Sequence, residues 1–308
     1  MSIDLEGATR LYEEATALVK RVFSQAERNE PIEGKEINEF VWRLVEHMTL
    51  GDRGLVYFTN RSTPQNYLIA QSVNVCILSL LIGIGLGYDT SQLNELGVAA
   101  LLHDIGMVRC AKLASAPRKL TPAELEEIRK HPLYGVEILQ KIDGLSDAAV
   151  FVCREHRRRS WDKEPFSTTE ERMRDYAQLV GLVDIYVAMT QPRPYRDAKL
   201  FHEAVQELVG EAFEIFDTRI MKTLVNQIGI YPIGSWVRLN TREVGRVVEQ
   251  NKNFPLHPVV EILFDAKGQF FENPKTYDLF KQQVIYIKEP VDYQKFKLTE
   301  MEEVTGRG

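Results

Sequence analysis

Leu101-Leu102-His103-Asp104-Ile105-Gly106 ends an apolar run with an adjacent histidine and aspartate, closed off by a glycine. An imidazole nitrogen and a carboxylate oxygen on neighbouring residues suit one hard or borderline cation, or a bridge between two. The dipeptide alone is weak, because His-Asp pairs also fall on surface turns. Its weight comes from His131, His156 and Asp184, which follow at intervals of 28, 25 and 28 residues. Such intervals suit successive antiparallel helices that each deliver a ligand to one centre.

The surrounding chain reads as helical. Leu5, Ala8, Leu11, Tyr12, Ala15, Leu18, Val19, Val22 and Phe23 recur at helical spacing over 5–29. Further helices are expected over 37–49, 64–87 and 93–103. Thr121-Pro122-Ala123-Glu124 opens another, with Thr as N-cap, Pro at N1 and Glu at N3. That helix is expected to stop before His131-Pro132, and new ones to begin at Gly135 and Asp147. A long amphipathic helix runs over 170–189, and the last helices lie over 201–227. After Gly229 the pattern changes. Trp236–Leu239, Val244–Val248 and Val259–Phe264 read as short strands beside turn residues. The expected architecture is mainly α: N-terminal helices over 1–60, a helical bundle over 61–228 and a small β-rich domain over 229–308.

Composition narrows the function classes. A net charge of −6 over 308 residues gives no nucleic-acid footprint. Cys76, Cys110 and Cys153 lie in or beside apolar segments without CxxC spacing, as in a reducing compartment. The N-terminus lacks the basic and apolar regions of a signal peptide. The longest apolar run, Val73 to Leu86, is interrupted by Asn74, Ser79, Gly83 and Gly85 and reads as too short to span a bilayer. A cytoplasmic protein is expected.

Five ordered motifs carry a resemblance. Leu102-His103-Asp104-Ile105-Gly106, Leu120-Thr121-Pro122-Ala123-Glu124, His131-Pro132-Leu133-Tyr134-Gly135, Val183 to Thr190 and Arg193-Pro194-Tyr195-Arg196 resemble the HD-GYP branch of the HD superfamily. The resemblance covers about residues 64–200. It implies an HD-type all-α bundle that binds metal, and active members hydrolyse the bacterial second messenger cyclic di-GMP. Tyr231 to Val237 resembles a small C-terminal extension of some relatives, with no activity implied.

The departures from the pattern matter equally. Ser72 stands where the family has a histidine ahead of the His-Asp pair. Met107 and Ala116 replace two lysines. Glu155-His156-Arg157 replaces the His-His-Glu run, and Val187 replaces a second aspartate. Of the Asp-Gly and Gly-Tyr-Pro, matched by Ser160-Trp161 and Lys163-Glu164-Pro165, only the proline survives. Two ions need about six to eight N/O ligands. The implied metal set here is His103, Asp104, His131, His156 and Asp184, with Glu155 as a further carboxylate and Asp104 as the catalytic group. Two outcomes stand open: at most about one ion, manganese or iron, or none. Arg157-Arg158-Arg159 reads either as a solvated run at a helix end or as a phosphate clamp. Arg193 and Arg196 read either as substrate-binding or as helix-capping. The expected function is a binding or scaffolding module in cyclic di-GMP signalling, with hydrolysis lost or much reduced. Its partners would be a cyclic dinucleotide or other signalling proteins. The alternative is a working phosphodiesterase with an altered site.

Overall fold

The computed structural model describes residues 5–51, 53–59, 66–158, 168–192, 198–211, 215–251, 254–293 and 296. They form two compact units. One comprises residues 1–198 and 212–221, the other 199–211 and 222–308. The N-terminal helices, expected as a segment of their own, share the first unit with the helical bundle. The second unit includes a helix as well as the sheet.

The first unit is built from α1 (Leu5–Arg28), α2 (Gly34–Thr49), α3 (Gly54–Phe58), α4 (Tyr67–Leu86), α5 (Thr90–Leu102), a 3₁₀ turn (Ile105–Cys110), α6 (Ala111–Ala114), α7 (Pro122–Arg129), α8 (His131–Leu139), α9 (Asp147–Glu155) and α10 (Thr168–Thr190). Two helix starts follow from capping chemistry. Asp89 and Gln92 form a reciprocal box at α5, and Thr121 and Glu124 do so at α7. The bundle resumes at His131 rather than Gly135, because Pro132 sits in the first turn of α8, where its missing N–H costs nothing.

The organising helix is α4, which packs against α1, α5 and α10. By length and composition it is apolar enough to cross a membrane, contrary to the expectation from its interrupted run. However, 78% of its apolar window is buried inside the protein. Its Leu80, Leu81 and Ile82 are fully buried, each contributing about 1.5–3 kcal/mol. Its polar Asn74 joins three elements, accepting from Tyr12 of α1 at 2.9 Å and donating to the Thr59 carbonyl beyond α3 at 2.8 Å.

The second unit contains α11 (Phe201–Glu211), and α12 (Thr218–Ile228) runs across the boundary between the units. Its sheet has five antiparallel strands in the order β4-β3-β2-β1-β5. Three strands were expected: β1 (Trp236–Leu239), β2 (Val244–Glu249) and β3 (Val259–Phe264). The additional two, β4 (Phe270–Asp278) and β5 (Ile287–Pro290), are the edges. Pro274 inside β4 masks that strand in sequence, yet an edge strand tolerates a residue that cannot donate to the ladder. Val237, Leu239, Val247, Val260, Ile262 and Leu279 form this unit's core.

Candidate metal centre

Three histidines sit just beyond helix C-termini: His103 after α5, His131 after α7 and His156 after α9. The last carbonyls of a helix lack intrahelical donors, and each ring meets one of them. Nδ1 lies 2.7 Å from the Ala100 carbonyl in His103, 2.7 Å from that of Ile128 in His131 and 2.9 Å from that of Cys153 in His156. A carbonyl only accepts, so the proton belongs on Nδ1. Every Nε2 is left with a lone pair, and the ring orientation is fixed as in histidine metal ligands. One local motif, histidine as a C-terminal cap, thus positions three candidate ligands.

The three Nε2 atoms converge on the carboxylates. His131 Nε2 lies 3.0 Å from Asp104 Oδ1, and His156 Nε2 lies 3.5 Å from the same oxygen. His103 Nε2 stands 3.6 Å from both Asp104 Oδ2 and Asp184 Oδ1. His131 and His156 bring their Nε2 atoms within 3.3 Å of each other. All five residues are buried, none more than 4% exposed. Facing lone pairs at such distances repel unless a proton or a metal cation lies among them. His103 Nε2, Asp104 Oδ1 and Asp184 Oδ2 are buried without an aligned hydrogen bond among the described residues. His103, Asp104 and His156 place ligand atoms mutually within 4.8 Å, and His131 adjoins two of the three. The set fits a divalent cation.

The electrostatics agree. Burial opposes the charged form of His103, but the facing Asp104 and Asp184 outweigh it and raise its pKa. Burial dominates at His156 and pulls its pKa down to about 4. Burial also opposes ionisation of Asp104 and Asp184. His103 and His131 offset it at the first, and Arg157 and His103 at the second, so both carboxyls lie below the usual range.

Close packing holds the ligand-bearing helix ends together. A Cβ on Gly106 would stand 2.0 Å from the His131 carbonyl oxygen and 2.5 Å from the Gly135 nitrogen. One on Gly135 would stand 2.3 Å from Cys153 Sγ. These glycines let the 3₁₀ turn, α8 and α9 approach closely enough for His131 and His156 to meet Asp104.

One expectation is corrected. The α4 side chain that reaches the centre is Gln71, whose amide donates to Asp184 Oδ1, rather than Ser72. One residue along a helix turns a side chain by about 100°, and the Ser72 hydroxyl is buried without a partner among the described residues. Glu155, the further carboxylate, pairs here with Arg154 at 2.8 Å and Arg158 at 3.5 Å. The arginine run divides. Arg158 takes the surface role, whereas Arg157 Nη2 lies 3.4 Å from Asp184 Oδ2. Arg159, Arg193, Arg196 and the Ser160 to Pro165 stretch lie outside the described residues.

A cavity of about 650 Å³ opens on the centre. Asp104, His131, Gln71 and Arg157 line it, with Arg129 and an apolar wall that includes Tyr67, Met107 and Ile128. Its volume is that of a small-molecule site.

Comparison with known proteins extends this picture. Residues 62–220 match the family described as HD domain, and residues 236–299 match the one described as KOW domain associated with HD domain. The chain is 29% identical over 268 residues to the cyclic di-GMP phosphodiesterase PA4108 of Pseudomonas aeruginosa, covering 86% of this chain and 64% of that protein. It is 27% identical over 209 residues to the cyclic di-GMP phosphodiesterase PdeB of Borreliella burgdorferi, covering 67% and 55%. The chain therefore spans less than two thirds of either relative's length. In fold it resembles Bd1817, an HDG"Y"P protein of Bdellovibrio bacteriovorus, with a TM-score of 0.54, 18% identity and 70% of each chain covered.

Proposed function

The chain belongs to the HD family, in its HD-GYP branch, and from that premise we propose a metal-containing cyclic di-GMP binding module with hydrolysis lost or much reduced. The observation that carries this reading is Gln71 on Asp184. An amide donor engages the carboxylate there, where an imidazole would supply a metal ligand. The remaining set, His103, Asp104, His131 and His156, suits one divalent ion, manganese or iron. An ion held there would act as a Lewis acid on a phosphate oxygen.

The protein's own side chains supply the rest of the site. The helix-end carbonyls hold the three imidazoles in their ligating tautomer. The apolar wall offers a surface for a base, while Arg129 and Arg157 bring positive charge to the cavity. Arg193 and Arg196 belong to this reading as further phosphate contacts. A scaffolding role toward other signalling proteins in the cytoplasm follows if ligand binding alters the bundle. The intact trio of pinned imidazoles with Asp104 favours a second reading, a working phosphodiesterase with an altered site.

Three measurements on the purified chain separate these readings: metal content, cyclic di-GMP affinity by calorimetry, and turnover. We expect about one ion per chain, measurable binding and turnover near background. Asp104→Ala should weaken metal retention beyond the roughly 10–100-fold cost of losing an outer partner. Robust turnover that vanishes in Asp104→Ala would establish the phosphodiesterase instead, and absence of cyclic di-GMP binding by the metal-loaded chain would end the ligand assignment.

A further inference from the structure

The Asp184 side of the centre differs in kind from the imidazole side. Asp184 is 1% exposed and mid-helix in α10, where an ionised carboxylate requires a cation. Arg157 supplies one. Its Nη2 lies 3.4 Å from Asp184 Oδ2, and its Nε–H donates to His156 Nε2 at 3.3 Å, a bond that an ion on that nitrogen would displace. The guanidinium therefore touches both halves of the centre. Its charge is permanent, so it does not yield to a metal by losing a proton as a histidine or lysine would. Its side chain is 46% exposed and borders the same cavity as Asp104 and His131.

We infer that Arg157 takes the place of a second divalent ion, so that the centre operates as a metal–arginine pair. One ion belongs to the His103, Asp104, His131 and His156 side, and the guanidinium neutralises Asp184. This inference rests on the one-ion reading above and names what holds the site to one. It also defines how the ligand is gripped. A phosphodiester in the cavity would find the guanidinium fork of Arg157, which matches phosphate geometry, beside the residues that would hold the ion. A guanidinium binds phosphate but does not activate water as a metal does. The pair thus favours retention of a cyclic dinucleotide over its cleavage.

Manganese uptake by the full chain, measured by dialysis and elemental analysis, tests the substitution directly. Wild type and Gln71→His should each hold about one ion, because the guanidinium remains. The double variant Gln71→His/Arg157→Gln should hold about two. Two ions in Gln71→His alone, or one in the charge-removing double variant, would overturn the assignment of Arg157. Two ions in the wild type would instead overturn the one-ion reading itself. Cyclic di-GMP affinity gives a second readout: Arg157→Gln should weaken it about tenfold or more, with Arg157→Lys losing less. Unchanged affinity in Arg157→Gln would also count against the pair.

Discussion

The helical unit and the sheet unit invest their polar residues differently. In the helical unit His103, Asp104, His131, His156 and Asp184 are all buried and aimed at one point. In the sheet the core is aliphatic and the charges pair toward solvent, as in Arg238 with Glu289 at 2.9 Å and Arg246 with Glu261 at 3.2 Å. Burying charge is unfavourable without compensation. Among the described residues the helical unit gathers several such groups at one centre, within the stretch that matches the HD family, whereas the buried Glu243 of the sheet unit is paired with Lys275. The lesson is that chemistry lies where burial and charge coincide, while the sheet follows ordinary packing rules.

The strongest way to break this contrast is to add one methyl group to each unit. Gly106→Ala would drive a Cβ into the His131 carbonyl oxygen at 2.0 Å, a backbone atom beside a ligand. We expect a loss of about 3 kcal/mol or more, together with weakened metal retention. Gly210→Ala in α11 meets nothing within 4 Å and should be neutral or stabilising by about 0.5–1 kcal/mol. Urea denaturation with metal analysis checks both. If Gly106→Ala keeps wild-type stability and metal, close approach does not position the site.

The candidate ligands were more legible in the sequence than their neighbours. His103, Asp104, His131, His156 and Asp184 were legible because each is a chemically distinctive residue in an ordered motif, and the structure brings all five together. Gln71 was not, because α4 is apolar all round and gives no helical phase from which to choose between adjacent polar residues. Arg157 was ambiguous because a run of three arginines has no internal marker of which one turns inward; that depends on where α9 ends. In the fold, β4 and β5 escaped notice because edge strands lack the alternating apolar signature, and β4 also carries Pro274.

A smaller effect tests the electrostatics of the helical unit in chelated protein. Burial pulls the His156 pKa down to about 4 in the folded chain, from an ordinary value of 6.5. As pH falls, the unfolded chain binds this proton first. Stability present above 6.5 is therefore lost between 6.5 and about 4. Asp104 and Asp184, also depressed, carry the loss to lower pH. His103 acts oppositely: its raised pKa gives stability present below the unfolded value and lost as pH rises through the folded one. The His156 contribution has a ceiling of about 3 kcal/mol, and His103 returns part of it. Urea midpoints should fall from pH 7 to pH 4, and His156→Gln should flatten that slope. An identical slope in both proteins would show that His156 does not carry the effect.

The smallest expected effect belongs to the sheet and sharpens the contrast from its other side. Arg238 and Glu289 face each other across β1 and β5, with side chains 31% and 53% exposed. Water screens such a pair, and fixing two long side chains costs rotamer freedom. Its worth is therefore about 0–1 kcal/mol, falling with salt. Arg238→Ala/Glu289→Ala should shift stability by no more than that, with less shift at 1 M salt, where the screening length is about 3 Å. Metal content and cyclic di-GMP affinity should not change, because the centre is built from residues of the helical unit and this pair belongs to the sheet unit. A double-mutant cycle over the two single changes isolates the pair. A coupling well above 1 kcal/mol that persists in salt would mean that the sheet, too, uses desolvated charge, and the division of labour between the units would fall.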